Sequence, residues 1–280
     1  MTVTETVRKS AIAGTWYPDT AAAIAAEVEE YLETARPPAR DGELRGLISP
    51  HAGLRYSGPV AAFGYSLLRG RGTRTVVLVG PSHRFAFAGS AVFARGSFET
   101  PLGRAAIDSD LADALVAASP GVHTDEQPHE HEHSLEMQLP FLQLLVPDLR
   151  IVPVLMGTQS REEVDLLAGA LARALAGRDA LLVASSDLSH YLARTNARDV
   201  DSTVVSDVAD FSPERLMDRL ERRRNHACGG GPMVAVMKAA RELGADASSV
   251  LCYGDSGDAG EHDTSRVVGY LSAALFRSAA

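Results

Sequence analysis

Short apolar runs alternate with amphipathic stretches along this chain, the signature of an α/β fold. Behind Asp19 and Thr20, Ile24, Val28, Tyr31 and Leu32 recur on one helical face and predict a capped helix over 20–34. Gly46-Leu47-Ile48 reads as a strand running into Ser49-Pro50-His51. Residues 75–80 form the plainest strand and run into Pro81-Ser82-His83. Ser109 is expected to cap a helix to about Ala118. A polar loop from Pro120 to Glu132 follows, then one helix from Ser134 to Val146, kinked at Pro140. Residues 150–155 are rich in β-formers. Ser160 and Glu163 have capping-box spacing and open a helix carrying Leu166, Leu167, Leu171 and Leu175. Leu181-Leu182-Val183 is another buried strand, running into Ser185-Ser186-Asp187-Leu188-Ser189-His190.

Ser212-Pro213 marks a further helix start. Pro232, after Gly229-Gly230-Gly231, plays the same part for a helix that Gly244 closes. Residues 249–253 and 266–273 read as closing strands. No linker or repeat interrupts the pattern. One domain over 1–280 is expected, since a single core serves chains of roughly 250–300 residues.

Composition narrows the function. The formal net charge is −9, which repels phosphate backbones and argues against a nucleic-acid partner, though a local basic pocket remains compatible. Arg222-Arg223-Arg224 is the dense basic run and reads as a solvated helix end. Two cysteines give no disulfide framework. Met1 to Ser10 lacks the apolar run of a signal peptide, and no apolar segment approaches the ~20 residues of a membrane span. A cytoplasmic protein with reduced thiols is expected.

Three strands end alike, in small polar residues and a histidine: Leu47 to His51, Val76 to His83, Leu181 to His190. Ligands of open α/β sheets bind beyond the carboxyl ends of strands, so these histidines are placed to converge. A metal is the natural use, with two imidazoles, an anionic third ligand and open positions. Cys228 suits that role. It precedes a glycine-rich helix start, where the dipole is expected to lower its thiol pKa. Cys252 fits a buried apolar strand instead, and His226 is a minor ligand candidate. Asp187 is expected to orient His83 or His190, or to cap a helix. Ser82 and Ser186 either hydrogen-bond a metal-bound water or cap turns. Glu136 either lines the pocket or sits in a first helical turn. Tyr56 either reaches the pocket mouth as a hydrogen-bonding wall residue or belongs to the core. His123, His129 and His131 read as part of a solvated loop.

These residues also carry a resemblance. Ser49-Pro50-His51-Ala52-Gly53-Leu54-Arg55-Tyr56-Ser57-Gly58-Pro59, Gly80-Pro81-Ser82-His83 and Thr100-Pro101-Leu102-Gly103 resemble signatures of the Memo family, whose bacterial and archaeal members are also called AmmeMemoRadiSam system protein B. So do Glu132-His133-Ser134-Leu135-Glu136-Met137-Gln138-Leu139-Pro140, Ser185 to Tyr191, Cys228-Gly229, Ser265 to Tyr270 and Ala13 to Pro18. The motifs span nearly the whole chain in order. The family resembles LigB-type extradiol dioxygenases, which implies a three-layer αβα domain around a central, mostly parallel or mixed sheet. It also implies metal ligands at His51, His83 and Cys228, with His190 beside them as the acid–base residue. Glu132 and His133, as motif residues, are expected in the pocket wall.

The dioxygenases use a carboxylate where Cys228 stands. Thiolate favours Cu, Zn or a different Fe chemistry, so ring cleavage does not carry over. Asp255, Asp258, Glu261 and Asp263 are the alternative carboxylates. The leading expectation is a metal-dependent oxidoreductase holding one Fe(II) or Cu ion, with Zn also compatible, and acting on a small-molecule or peptide ligand. The rival is a non-catalytic binding protein working with AMMECR-like and radical-SAM partners, as the system name implies. A hydrolase using zinc-bound water is a third reading.

Overall fold

The computed structural model describes residues 6–38, 41–223, 226–260 and 263–279. Its strands are β1 (Val7–Arg8), β2 (Glu43–Ser49), β3 (Thr75–Pro81), β4 (Ser90–Val92), β5 (Ser97–Thr100) and β6 (Gly103–Ile107), then β7 (Val122–Thr124), β8 (Arg150–Met156), β9 (Ala180–Ser185), β10 (His190–Leu192), β11 (Ala247–Asp255) and β12 (Val267–Arg277). The helices are α1 (Ala21–Thr34), α2 (Leu54–Tyr65), α3 (Ser109–Ala118), α4 (Leu139–Leu145), α5 (Arg161–Leu175), α6 (Arg194–Ala209), α7 (Pro213–Arg222) and α8 (Gly230–Glu242).

The strands form one twelve-stranded mixed sheet in the order β1-β5-β6-β8-β3-β9-β2-β12-β10, with β11 on β12 and β4 between β7 and β8. At its centre β8, β3, β9 and β2 run parallel. Of these, β3, β8 and β9 are largely aliphatic on both faces, because helices cover both sides of a parallel sheet. The helices α3, α5, α7 and α8 pack together in one layer, and α1, α2 and α4 in the other, giving a three-layer αβα arrangement. Ser49 pairs with Ser185 and Pro81 with Met156, so β2, β3, β8 and β9 all end at one edge of the sheet. That shared edge is what brings their following loops together.

Several boundaries differ from expectation. Residues 134–146 are not one kinked helix: a 3-10 turn covers Glu136–Gln138, and α4 starts at Leu139 with Pro140 in its first turn. A proline fits there because first-turn N–H groups have no helical partner. Asp108, not Ser109, caps α3, taking the Leu111 N–H at 3.1 Å. Ser160 caps α5, but Glu163 does not complete a capping box. Its carboxylate accepts from Gly89 N at 2.8 Å and pairs with Thr158. Pro232 lies third in α8, which begins at Gly230.

Candidate metal centre

The loops after β2 and β3 deliver His51 and His83 with ring centroids 5.3 Å apart. Each ring has one nitrogen already committed. His51 Nδ1 lies 2.8 Å from Ser185 Oγ. That hydroxyl has one proton, which it gives to the Ser134 carbonyl at 2.7 Å, while Gln138 Nε2 donates to it at 2.9 Å. Ser185 can therefore only accept from His51, so His51 carries its proton on Nδ1 and leaves Nε2 bare. His83 Nδ1 donates to Glu132 Oε1 at 2.9 Å, which again leaves Nε2 free. A histidine whose far nitrogen donates to a carboxylate is the usual form of a metal ligand.

Cys228 supplies the third atom. Its Sγ lies 3.1 Å from His51 Nε2, and ligand atoms of His51, His83 and Cys228 all fall within 4.8 Å of one another. Atoms bound to one ion at about 2.0–2.3 Å sit roughly 3.5 Å apart in a tetrahedron, so two imidazoles and a sulfur in this arrangement fit a metal with small adjustments. The turn that carries Cys228 is tied on both sides. Gly229 N donates to Ser186 Oγ at 3.0 Å, Gln159 Nε2 donates to the Cys228 carbonyl at 2.8 Å, and Gly231 N donates to Gln159 Oε1 at 2.7 Å. A Cβ at Gly229 would stand 2.3 Å from the Ser185 carbonyl oxygen, so only glycine admits this approach.

His190 stands on the short edge strand β10. Its Nδ1 donates to the Leu188 carbonyl at 2.8 Å, which leaves Nε2 bare, and its charge would be felt by both His51 and His83. Tyr191, beside it, is held at φ +60° and is 63% exposed. Asp187 takes the backbone N–H groups of His51, at 2.7 Å, and of Ala52. It shapes the His51 loop rather than orienting the ring of His83 or His190.

Other expected site residues take clear places. Ser82 closes a turn with Phe85, donating to its carbonyl at 2.8 Å, and Ser186 donates to the Asp187 carbonyl at 2.8 Å, so both act in turns. Glu132 is buried beneath the site and holds His83 by backbone and ring, along with the backbone N–H groups of His133 and Ser134. His133 stacks on His83 at 4.5 Å and is met by Trp16 at 4.4 Å. Tyr56, with Trp16, Arg55, Tyr191 and Arg266, lines a cavity of about 530 Å³ next to Ala52 and Gly53. A second cavity, of about 410 Å³, reaches Cys228 from the Gln159 side.

Burial governs the electrostatics. It holds His51 well below the ordinary imidazole range, with His83 and His133 adding to the effect. His133 falls to about 4 for the same first reason, against the pull of Glu132. Burial works against ionised Glu132, but its hydrogen bonds to His83 outweigh that and hold it at about 2. Asp187 is pushed up to about 7 by burial, against the N–H groups it accepts. The expectation of an acidified Cys228 is overturned: burial, then the nearby Asp187 carboxylate, pushes its thiol up despite the neighbouring helix start. Without a cation the pair is a thiol facing a neutral imidazole.

The alternative ligands are otherwise engaged. Asp255 is buried and paired with Arg194 and Arg198, and Asp258 with Arg194. Asp263 accepts from Ser265 N at 2.9 Å, and Glu261 lies outside the described residues. His226 sits away from the three ligands, beside Arg219 and Arg223. Glu136 sits in the first turn of the 3-10 segment Glu136–Gln138, the second of its two expected places, and not in the pocket wall. It is buried in an ion pair with Arg8 and also takes Tyr17 OH at 2.7 Å. His129 is not solvated: it is 1% exposed, with Nε2 3.2 Å from the Ala91 carbonyl. Ser185 and Gln159 were missed as site residues. Ser185 had a signal in the motif that ends at His190, while Gln159 had none.

Comparisons with known proteins bear on the family and the fold. The family of Memo-like proteins matches residues 8–274. A MEMO1 family protein of Methanosarcina mazei is 36% identical over 269 residues, covering 95% of this chain and 98% of its own. One from Methanothermobacter thermautotrophicus is 37% identical over 273 residues, covering 94% and 98%. Among solved structures, an uncharacterized protein from Escherichia coli K12 superposes with a TM-score of 0.57 at 15% identity, over 82% of this chain and 99% of that one, a likeness of fold.

Proposed function

The chain belongs to the Memo family, and from that membership and the three converging ligand atoms we propose that it is a metal-dependent oxidoreductase related to the extradiol dioxygenases. The observation that carries this is the approach of His51, His83 and Cys228 with the outer ring nitrogens of both histidines already spent on protein partners. Fe(II) or Cu suits a soft, partly thiolate set open to a further ligand, and Zn is also compatible. When bound, the ion would supply a Lewis-acidic or redox-active centre for a substrate oxygen.

The rest falls to the chain itself. Glu132 and Ser185 fix the faces of the two imidazoles, and Asp187 holds the His51 backbone. His190 Nε2, with Nδ1 anchored, is the group that accepts or returns a proton. The cavity lined by Trp16, Tyr56 and Tyr191 admits a small organic ligand along aromatic walls, with Arg55 and Arg266 at its side for an anionic group.

The test is anaerobic loading with Fe(II), Cu(I) or Zn, then metal analysis and O₂ uptake on a catechol panel. One retained ion per chain, lost in His51→Ala and Cys228→Ala, with O₂ uptake on Fe(II) or Cu, is the expected result. No retained ion overturns the proposal, and retained Zn without O₂ uptake turns it toward hydrolysis. A second reading, a binding protein serving AMMECR-like and radical-SAM partners, is favoured by Trp16 and Tyr191. They are the large hydrophobic side chains left exposed among the described residues, and both stand at this mouth.

A further inference from the structure

The molecule carries a second concavity whose chemistry differs from the metal centre. Between α6 and α7 lies a cavity of about 430 Å³ lined by Arg215, Arg219, Arg222, Arg223, Thr203 and His226. Asp199 and Asp218 are the acidic groups of its rim, and behind the wall Asp207 pairs with Arg215 and Arg219 and Asp210 pairs with Arg215, in a chain of net charge −9. Asp218 is already taken by Arg161 at 2.7 Å.

Two of the guanidiniums are held in place from behind. Asp207, buried in α6, takes Arg215 Nε on one oxygen and Arg219 Nε on the other, both at 2.6 Å. Asp207 thereby fixes the orientation of both planes, and among the described residues no ion pair engages the terminal nitrogens of Arg219. Arg222 and Arg223 make no ion pair among the described residues. The wall also includes His226, 8% exposed, whose Nδ1 is buried with no hydrogen-bond partner among the described residues. A buried polar nitrogen left unpaired is costly and rare, and often marks a place where a further group completes the structure.

We propose that this cavity is an anion site for a small phosphoryl-bearing molecule, a phosphate monoester or diphosphate. Arginine forks suit the paired oxygens of a phosphoryl group, and one prepared by a buried carboxylate loses little freedom on binding. The Thr203 hydroxyl already donates to the Val200 carbonyl at 2.6 Å, so the arginines carry the recognition, and the volume accommodates a metabolite rather than a polymer strand. The site needs neither the metal nor any residue of its ligand set, so it stands or falls apart from the oxidoreductase reading.

The probe is inorganic pyrophosphate, titrated calorimetrically into the full chain at fixed ionic strength, with inorganic phosphate, acetate and a single-stranded RNA as further arms. One site per chain is expected, for pyrophosphate more tightly than phosphate and not for acetate. Affinity should fall at least tenfold in Arg222→Gln/Arg223→Gln, whose exposed positions leave the fold intact by circular dichroism, and should be unchanged in Cys228→Ala. Unaltered binding in the double variant, several weak sites per chain, equal binding of acetate, or RNA binding more tightly than pyrophosphate would each overturn the assignment.

Discussion

Glu132 grips His83 twice: one carboxylate oxygen lies 2.9 Å from the ring Nδ1, and the other takes the His83 backbone N–H at 2.6 Å. The same group also receives two further backbone N–H groups, from His133 and Ser134. It sets both where His83 sits and which nitrogen it turns toward Cys228. Glu132→Gln keeps the size but replaces one accepting oxygen with an amide that faces donors. Metal affinity should fall about 10–100-fold, the usual effect of losing such a partner. Competition against a chelator measures it, and unchanged affinity would show that His83 is held by other means.

Cys228 should bind metal only at the expense of its proton. Burial keeps the free thiol protonated through neutral pH, and ligation must expel that proton. Metal uptake should therefore release acid, and apparent affinity should weaken as pH falls. Cys228→Ser should remove any sulfur-to-metal absorption band of a Co(II)-loaded sample. Retention of that band would place another sulfur on the ion.

The N-terminal segment is pinned by Arg8, whose guanidinium pairs with buried Glu136 and donates through Nε to the His129 carbonyl at 3.0 Å. Arg8→Met leaves Glu136 charged and buried, and breaking such a pair costs about 3–5 kcal/mol. Arg8→Met/Glu136→Gln should recover part of that loss. Urea unfolding of the two variants gives the comparison, and equal stability of Arg8→Met and the parent chain would rule the ion pair out as an anchor.

His129 gives a pH signature away from the metal ligands. Burial disfavours its charged form and lowers it from 6.5 to about 3, although the Ala91 carbonyl works the other way. The unfolded chain thus binds a proton that the folded chain refuses. The folded state is penalised as pH drops from about 6.5 toward about 3, by about 1.4 kcal/mol per unit, and is indifferent above that window. In urea titrations from pH 7.5 to 4, His129→Leu should flatten the acid limb relative to the parent chain. Parallel curves would mean that His129 is not buried neutral.

These cases also show what one sequence can reveal. His51 and His83 were legible because strand ends in a parallel sheet share an edge, and Cys228 because glycines follow it. The helix over 20–34 was legible from its spacing alone. Glu136 was not, since its partner Arg8 lies 128 residues away and nothing local announces the pairing. His129 was hidden by the polar company it keeps in the chain. Ser185 matters through register: it pairs with Ser49 across β9 and β2, and so reaches the ring of His51.

Gln159 is the sharpest case, because its role rests wholly on tertiary placement. It follows β8, and its amide spans the turn from Cys228 to Gly231, donating to one backbone group at 2.8 Å and accepting from another at 2.7 Å. Ser186 and the Asp187 carbonyl hold the N–H groups of Gly229 and Cys228, but no other side chain among the described residues spans the turn from Cys228 to Gly231. Gln159→Ala should leave the sheet intact but let the turn relax, shortening the metal's lifetime against a chelator by about tenfold. Gln159→Glu can still accept from Gly231 but cannot donate to the Cys228 carbonyl, and should fall between. A purely structural role would lower thermal stability without moving the thiolate band of the Co(II)-loaded protein. A positioning role shifts or weakens that band in proportion to the lost bonds. If both variants keep the parent's metal lifetime and spectrum, the glycine turn alone places the sulfur.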